Sequence, residues 1–338
     1  MSGNAAFTMT DTAIVSVDHV DAPEVVPSSR FDEILAETYE RVGAQPGLLE
    51  SLAGIKERRW WPEGHLFTDA ASAAGAKAIE ASGVRVEEIG LLIDTSVCRD
   101  RLEPSSAVTV HNALDLPSSC LNFDLSNACL GFVNALQVAG NMIGAGQINY
   151  ALIVDGEGSR KLQETTLARL SGPDATMADL FSEFASLTLG SGGAAAVVGR
   201  HSENPGSHRV VGGIARADTS HHNLCVGNLD RMTTDTKLLL NAGLQVSKLG
   251  WGDAEESWLD ADRYIVHQIS QVHTGMLCET LGIDPAKVPL TFPFLGNVGP
   301  ASIPITLSLE SDSLEPGDQV LLLGIGSGLN AAAMELIW

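Results

Sequence analysis

Residues 120–144 read CLNFDLSNACLGFVNALQVAGNMIG, and this stretch decides how the chain is parsed. Its first six residues are apolar at alternate positions, the pattern of a half-buried strand. After Ser126-Asn127-Ala128, apolar residues recur at three- and four-residue spacing through Gly144, the pattern of a buried helix. Cys129 stands at the junction. A strand that turns directly into an apolar helix is the unit of α/β layers. The same unit recurs later in weaker form. An extended run, 289–294, leads through Leu295-Gly296 to Asn297 and then into a helix over 298–309. A strand follows each helix, at 150–155 and at 319–324. We read two similar α/β halves related by a pseudo-dyad, the first over 1–200 and the second over 201–338.

Further strands are expected at 89–97, 194–199 and 264–269, and further helices at 68–82 and 270–281, each bounded by Gly, Asp or Ser. The segment 157–183 reads as a polar, irregular excursion that covers something.

Composition narrows the functional classes. Of 338 residues 44% are hydrophobic and 18% charged, as in globular proteins. The net charge of −22 argues against electrostatic attraction to nucleic acid or anionic membrane, both of which need a basic face. No apolar run reaches the roughly 18–20 residues of a membrane span, because Asp124 and Asn127 interrupt the best one. The first residues lack the basic start of a secretion signal. Five widely spaced cysteines, without a CxxC pair, indicate neither zinc nor a disulfide framework, and a cytoplasmic chain with free thiols is expected. His221-His222 has no companion ligand at metal-binding spacing, so no metal is expected. Asp230-Arg231 reads as a structural ion pair.

Three residues carry candidate chemistry. Cys129 lies at a helix start, where unpaired N–H groups and the helix dipole favour a thiolate. A free cysteine is more commonly an inert core residue. His267 ends the apolar run 264–267, and Asn297 precedes Val298-Gly299-Pro300. Separately, these would be a core histidine and an N-cap. The glycine-rich turn 324–330, Gly-Ile-Gly-Ser-Gly-Leu-Asn, matches neither a dinucleotide fingerprint nor a phosphate loop. Exposed backbone N–H groups there suit an oxyanion hole.

The order Cys129, His267, Asn297, then 324–330, with Gly54-Ile55-Lys56-Glu57-Arg58-Arg59 near the start, resembles β-ketoacyl-acyl carrier protein synthase III and its thiolase-superfamily relatives over nearly the whole chain. Thr95-Ser96-Val97-Cys98-Arg99-Asp100-Arg101-Leu102-Glu103-Pro104-Ser105 and Gly227-Asn228-Leu229-Asp230-Arg231-Met232 are most similar to the OleA branch, whose members join two fatty acyl-CoA molecules head to head.

The resemblance implies an α/β thiolase fold, two similar halves in five αβαβα layers. It implies Cys129 as the acyl-carrying nucleophile, with the N–H groups of Cys129, Gly326 and Ser327 as oxyanion donors. It assigns His267 and Asn297 to the second thioester, and Glu103, acting across a homodimer interface, to the α-proton. Arg58, Arg59 and Trp60 would contact CoA, while 157–183 and 220–241 would help line alkyl channels. No cofactor beyond substrate CoA is implied. Fatty acyl-CoA is the expected partner, with other pathway enzymes downstream. The rivals are a synthase III condensing acyl-CoA with malonyl-acyl carrier protein, which has no need of Glu103, and a non-catalytic scaffold subunit. Retention of the whole constellation argues against the scaffold.

Overall fold

The computed structural model describes residues 6–254 and 256–338. Nine strands form one continuous sheet: β1 (Ala6–Asp21), β2 (Ile89–Asp94), β3 (Leu121–Asp124), β4 (Tyr150–Glu157), β5 (Gly192–Gly199), β6 (His208–Ala217), β7 (Arg263–Val266), β8 (Gln319–Gly326) and β9 (Asn330–Ile337). Their order is β7-β8-β9-β6-β1-β5-β4-β2-β3. The first half supplies β1 to β5 and the second β6 to β9, joined where β1 pairs antiparallel with β6. β3 is a free edge.

Side-chain alternation sets the layers. On the first half, Leu92, Leu152, Val154, Ala195 and Val197 face α1 (Phe67–Ser82) and α2 (Ser106–Ala113). Their neighbours Leu91, Ile93, Ile153, Ala196 and Val198 face the other way, into the central core. On the second half, Tyr264, Val266, Leu321 and Leu323 pack with Leu244, Leu277 and Leu281. Ile265, Val320, Leu322, Met334 and Leu336 enter that same central core, with α3 (Gly131–Gly144) and α8 (Ser302–Glu310) between the halves. The outer layer of the second half is α6 (Thr236–Trp251) and α7 (Gln271–Leu281). The result is αβαβα, and α3 and α8 are the helices that follow Cys129 and Asn297.

Two sequence expectations change, and two strands add to the expected set. The excursion 157–183 is two helices, α4 (Arg160–Leu170) and α5 (Met177–Leu187). Buried Leu162, Thr166 and Leu170 recur every four residues, and Thr176 caps α5 in a reciprocal box with Asp179. The run 289–294 is no strand, since Phe292–Leu295 is one helical turn. The Gln268 carboxamide accepts from Thr291 N (2.9 Å) and Phe292 N (3.3 Å), which directs those N–H groups away from any sheet. The 16-residue β1 carries no regular strand pattern in sequence, because Thr12, Ser16 and His19 break its apolar run. Ser16 Oγ donates to Ala78 O (2.7 Å), and His19 meets Ser308 Oγ (2.9 Å). β6 is masked in sequence by Gly212-Gly213, where a Cβ at Gly212 would lie 2.3 Å from Phe7 O.

Candidate active site

The Cys129 turn is built by strain and by close approach. Leu130 N donates to Asn127 O (3.0 Å), and Ala128 sits at φ 46, the left-handed region that non-glycine residues seldom enter. β8 and β9 form a hairpin whose three-residue loop is Ser327-Gly328-Leu329. Its flank presses on the turn. A Cβ at Gly326 would stand 3.2 Å from Asn127 O and 3.4 Å from Cys129 N, a tight fit, so glycine lets the two backbones meet without either giving way. Asn330 Nδ2 donates to Asn127 Oδ1 (3.3 Å), and Asn127 Nδ2 to Asn134 Oδ1 (2.7 Å). The glycine turn, the Cys129 turn and the first turn of α3 are thereby one hydrogen-bonded unit.

The second half brings its two residues in from separate loops. His267 follows β7, its N–H bonded to Leu323 O (2.8 Å). Its ring is buried, and Nδ1 has no protein partner among the described residues. Burial, with nearby His273, pushes its pKa down to about 3, so the ring is neutral and can donate or accept. Asn297 is clamped through its backbone: its N–H donates to Thr188 O (2.9 Å), and its carbonyl accepts from Gly190 N (2.8 Å). Its side-chain Oδ1 accepts from Gly299 N (2.9 Å), which turns the amide nitrogen outward as a donor. His267, His273, Trp251, Leu277, Gly324 and Ile325 line one cleft.

Electrostatics around Cys129 run against the thiolate expected from its helix-start position. Burial, and next Glu157, push the thiol well above the usual range, and α3 begins only at Gly131. Sequence reading missed Glu157. It ends β4, two residues after Asp155, and both side chains are buried. Two carboxylates at alternate positions of an apolar strand were the available signal.

Glu103 lies on an exposed loop with Leu102, and has no hydrogen-bond or ion-pair partner on its own chain among the described residues. The structure does not bring it to Cys129 of the same chain. Two of the three expected CoA contacts are corrected. Arg58 is fully buried, donating to Val26 O (3.3 Å), Ser28 Oγ (3.1 Å) and Leu187 O (3.0 Å), and its pKa falls to about 10 through burial. Trp60, also buried, donates to Gln163 Oε1 (2.5 Å). On the four-residue strand Glu57–Trp60 these two point inward, and of the three only Arg59 retains access to solvent. Asp230 and Arg231 do not pair with each other: Lys161 meets Asp230 (3.0 Å), and Arg231 meets buried Glu183 (3.1 Å). They fasten the hairpin Cys225–Gly227/Met232–Thr234 to α4 and α5. Among the described residues no group of three or more His, Cys, Asp or Glu is placed to hold a metal, and no helix is long and apolar enough to cross a membrane.

This geometry meets its relatives in the known proteins. Residues 123–212 match the family described as 3-Oxoacyl-[acyl-carrier-protein (ACP)] synthase III, and residues 253–338 match its C-terminal part. The chain is 43% identical to an acyl-CoA:acyl-CoA alkyltransferase of Xanthomonas campestris, covering 97% of this chain and 99% of that one. It is 36% identical to the Shewanella oneidensis protein of the same name, covering 94% and 96%. A crystal structure of Xanthomonas campestris OleA with bound lauric acid and lauroyl-CoA superimposes with a TM-score of 0.95 at 42% identity, covering 98% of this chain and all of that one. Other structures of that protein carry substitutions at one cysteine and one glutamate, the glutamate preceding the cysteine by as many positions as Glu103 precedes Cys129. Fold and site define an acyltransferase of the thiolase superfamily. Within it, the chain belongs to the synthase III-like condensing enzymes of the OleA branch.

Proposed function

We propose that this enzyme condenses two long-chain fatty acyl-CoA molecules without decarboxylation, giving a 2-alkyl-3-oxoalkanoate for long-chain olefin synthesis. Cys129 Sγ attacks the first thioester, the carbon–sulfur bond to CoA breaks, and the thiol proton leaves with CoA. The carbonyl oxygen lodges between the N–H groups of Cys129 and the Gly326-Ser327 turn, backbone donors to the developing oxyanion. A second acyl-CoA places its carbonyl on His267 and the Asn297 amide, which strengthen their hold as that oxygen becomes an enolate. Glu103 of the neighbouring subunit takes the α-proton, since a simple acyl chain has no carboxylate to lose. The α-carbon attacks the acyl-Cys129 carbonyl, and the bond to Sγ breaks. Water then cleaves the remaining thioester to the β-keto acid and a second CoA.

The observation that carries this reading is Glu103, exposed and unpaired on its own chain beside a free sheet edge. β3 leaves one edge open for a second copy, and Val97, Leu102, Val108 and Leu121 are exposed near it. The equal spacing of the glutamate and cysteine altered in Xanthomonas OleA supports the pairing of Glu103 with Cys129. The enzyme acts as a cytoplasmic homodimer and needs no cofactor beyond substrate CoA, and later enzymes decide whether the product becomes olefin, ketone or β-lactone. The test is purified protein with myristoyl-CoA alone, following CoA release and identifying the product. A 2-alkyl-3-oxo acid is expected, and release of CoA only after a malonyl donor is added would replace this reading with the synthase III reaction.

A further inference from the structure

Glu157 has an environment that the reaction just described leaves unexplained. Its side chain is 4% exposed and, among the described residues, meets no cation. Isolating a carboxylate from water costs several kcal/mol unless it is neutralised or hydrogen-bonded. What it meets instead is the segment Val97-Cys98, through its backbone N–H groups and the Cys98 thiol. Oε1 accepts from Val97 N at 2.5 Å, and Oε2 accepts from Cys98 N at 3.3 Å. Its own carbonyl accepts from Trp61 Nε1 at 2.9 Å, which holds the end of β4 in place.

Those two N–H groups begin the segment that leaves β2 and carries Glu103. Two more anchors follow. Arg99 pairs with Asp124 (3.2 Å), and Asp100 caps α1, accepting from Phe67 N (2.9 Å) and from Thr68 Oγ1 (2.7 Å). Past Asp100 the chain is loosely held, with Leu102 94% exposed and Arg101 Nη2 reaching Thr109 Oγ1 (3.5 Å), until Asp124 accepts from Ser106 N (3.0 Å) and Ala107 N (2.8 Å). On its other side Glu157 faces its own subunit's site. A Cβ on Gly299, whose N–H orients Asn297, would lie 3.4 Å from the Glu157 carboxyl carbon. The same carboxyl group is the foremost charged influence on Cys129.

We propose that Glu157 is a positioning residue for condensation: through Val97 and Cys98 it sets the segment that presents Glu103 to the neighbouring subunit, so each subunit's Glu157 serves its partner's Cys129. The proposal rests on Glu103 acting as the base across a dimer. It distinguishes acyl transfer, which needs no base from the neighbour, from carbon–carbon bond formation, which does.

Glu157→Ala should therefore form acyl-Cys129, read by protein mass, within about threefold of wild type, while condensation falls roughly ten- to a hundredfold, the scale of misplacing a catalytic group by about 1 Å. Because both residues act on one event, Glu103→Ala/Glu157→Ala should condense no more slowly than Glu103→Ala alone, whereas multiplied losses would overturn the proposal. Tandem-tagged heterodimers give the sharper test. With Cys129→Ala in one subunit and Glu157→Ala in the other, the surviving Cys129 is served by the subunit that keeps Glu157, and about half of wild-type condensation is expected. With both substitutions in one subunit, the surviving Cys129 faces the impaired segment, and condensation should drop to about half the Glu157→Ala level. The opposite pattern would show Glu157 acting on its own Cys129 and end the proposal. Should Glu157→Ala not fold, Glu157→Gln keeps one acceptor and enters the same heterodimers with the same expected pattern. Full condensation by Glu103→Ala would instead remove the base itself, a result separate from the heterodimer pattern.

Discussion

At the residue scale, the Cys129 site holds its titratable groups away from charge. His267 and His273 are pushed by burial to about 3 and about 4, and Glu157 is pushed up to about 7 by burial, with Asp94 adding to the shift. Neutral histidine suits donation to a thioester oxygen, because an imidazolium would have to be made and buried before each turnover. A carboxyl whose native pKa lies above its unfolded value binds protons more tightly when folded. Stability from this group is therefore fully present below about pH 4.5 and declines as pH rises to about 7. Glu157→Gln lacks this decline. Comparing the two proteins by urea unfolding at pH 5 and pH 8, the difference should move in the variant's favour by about 2–3 kcal/mol. An unchanged difference would mean that Glu157 titrates normally.

At the scale of elements, the loop carrying Asn297 is held against the end of α5 with no room to spare. Leu189 and Asn297 form a bridge, and a Cβ on Gly190 would fall 1.8 Å from Leu295 O. No rotamer relieves a clash between backbone atoms. Gly190→Ala should displace the loop, destabilise the protein by about 3 kcal/mol or more, and lower condensation further than acylation. Thermal unfolding together with separate rates for CoA burst and product would show it, and retention of both rates would disprove the clamp. The contrast with Cys129 is instructive. Its turn follows a strand and opens a long helix, whereas Asn297 follows a single helical turn, so the two halves match at the helices and differ in what leads to them.

For the whole molecule, in the proposed homodimer a chain of net charge −22 would meet a second copy against its own repulsion, and apolar surface would have to overcome it. The exposed side chains by β3 are suited to that, Leu121 being 51% exposed on the edge strand itself. Leu121→Lys places a charge on that edge and should convert dimer to monomer in sedimentation at micromolar concentration. Acyl-Cys129 should still form while condensation fails. A monomer that condenses would remove the partner's glutamate from the mechanism.

Sequence alone determined the parts of this protein that obey short-range rules. Cys129, His267, Asn297 and the 324–330 turn each stand where a strand or helix begins or ends, and periodicity over a dozen residues marks such junctions. The helices 68–82, 130–144 and 270–281 were legible to within a residue for the same reason. Tertiary structure decided what depends on residues far apart in the chain. Arg58 and Trp60 look like surface groups until Leu187 and Gln163, more than a hundred positions away, close over them. Glu157 looks like a turn residue until Val97 and Cys98 bring their N–H groups to it. Burial and hydrogen-bond partnership arise from packing whole layers together, and no local pattern encodes which distant backbone will supply a carboxylate's partners.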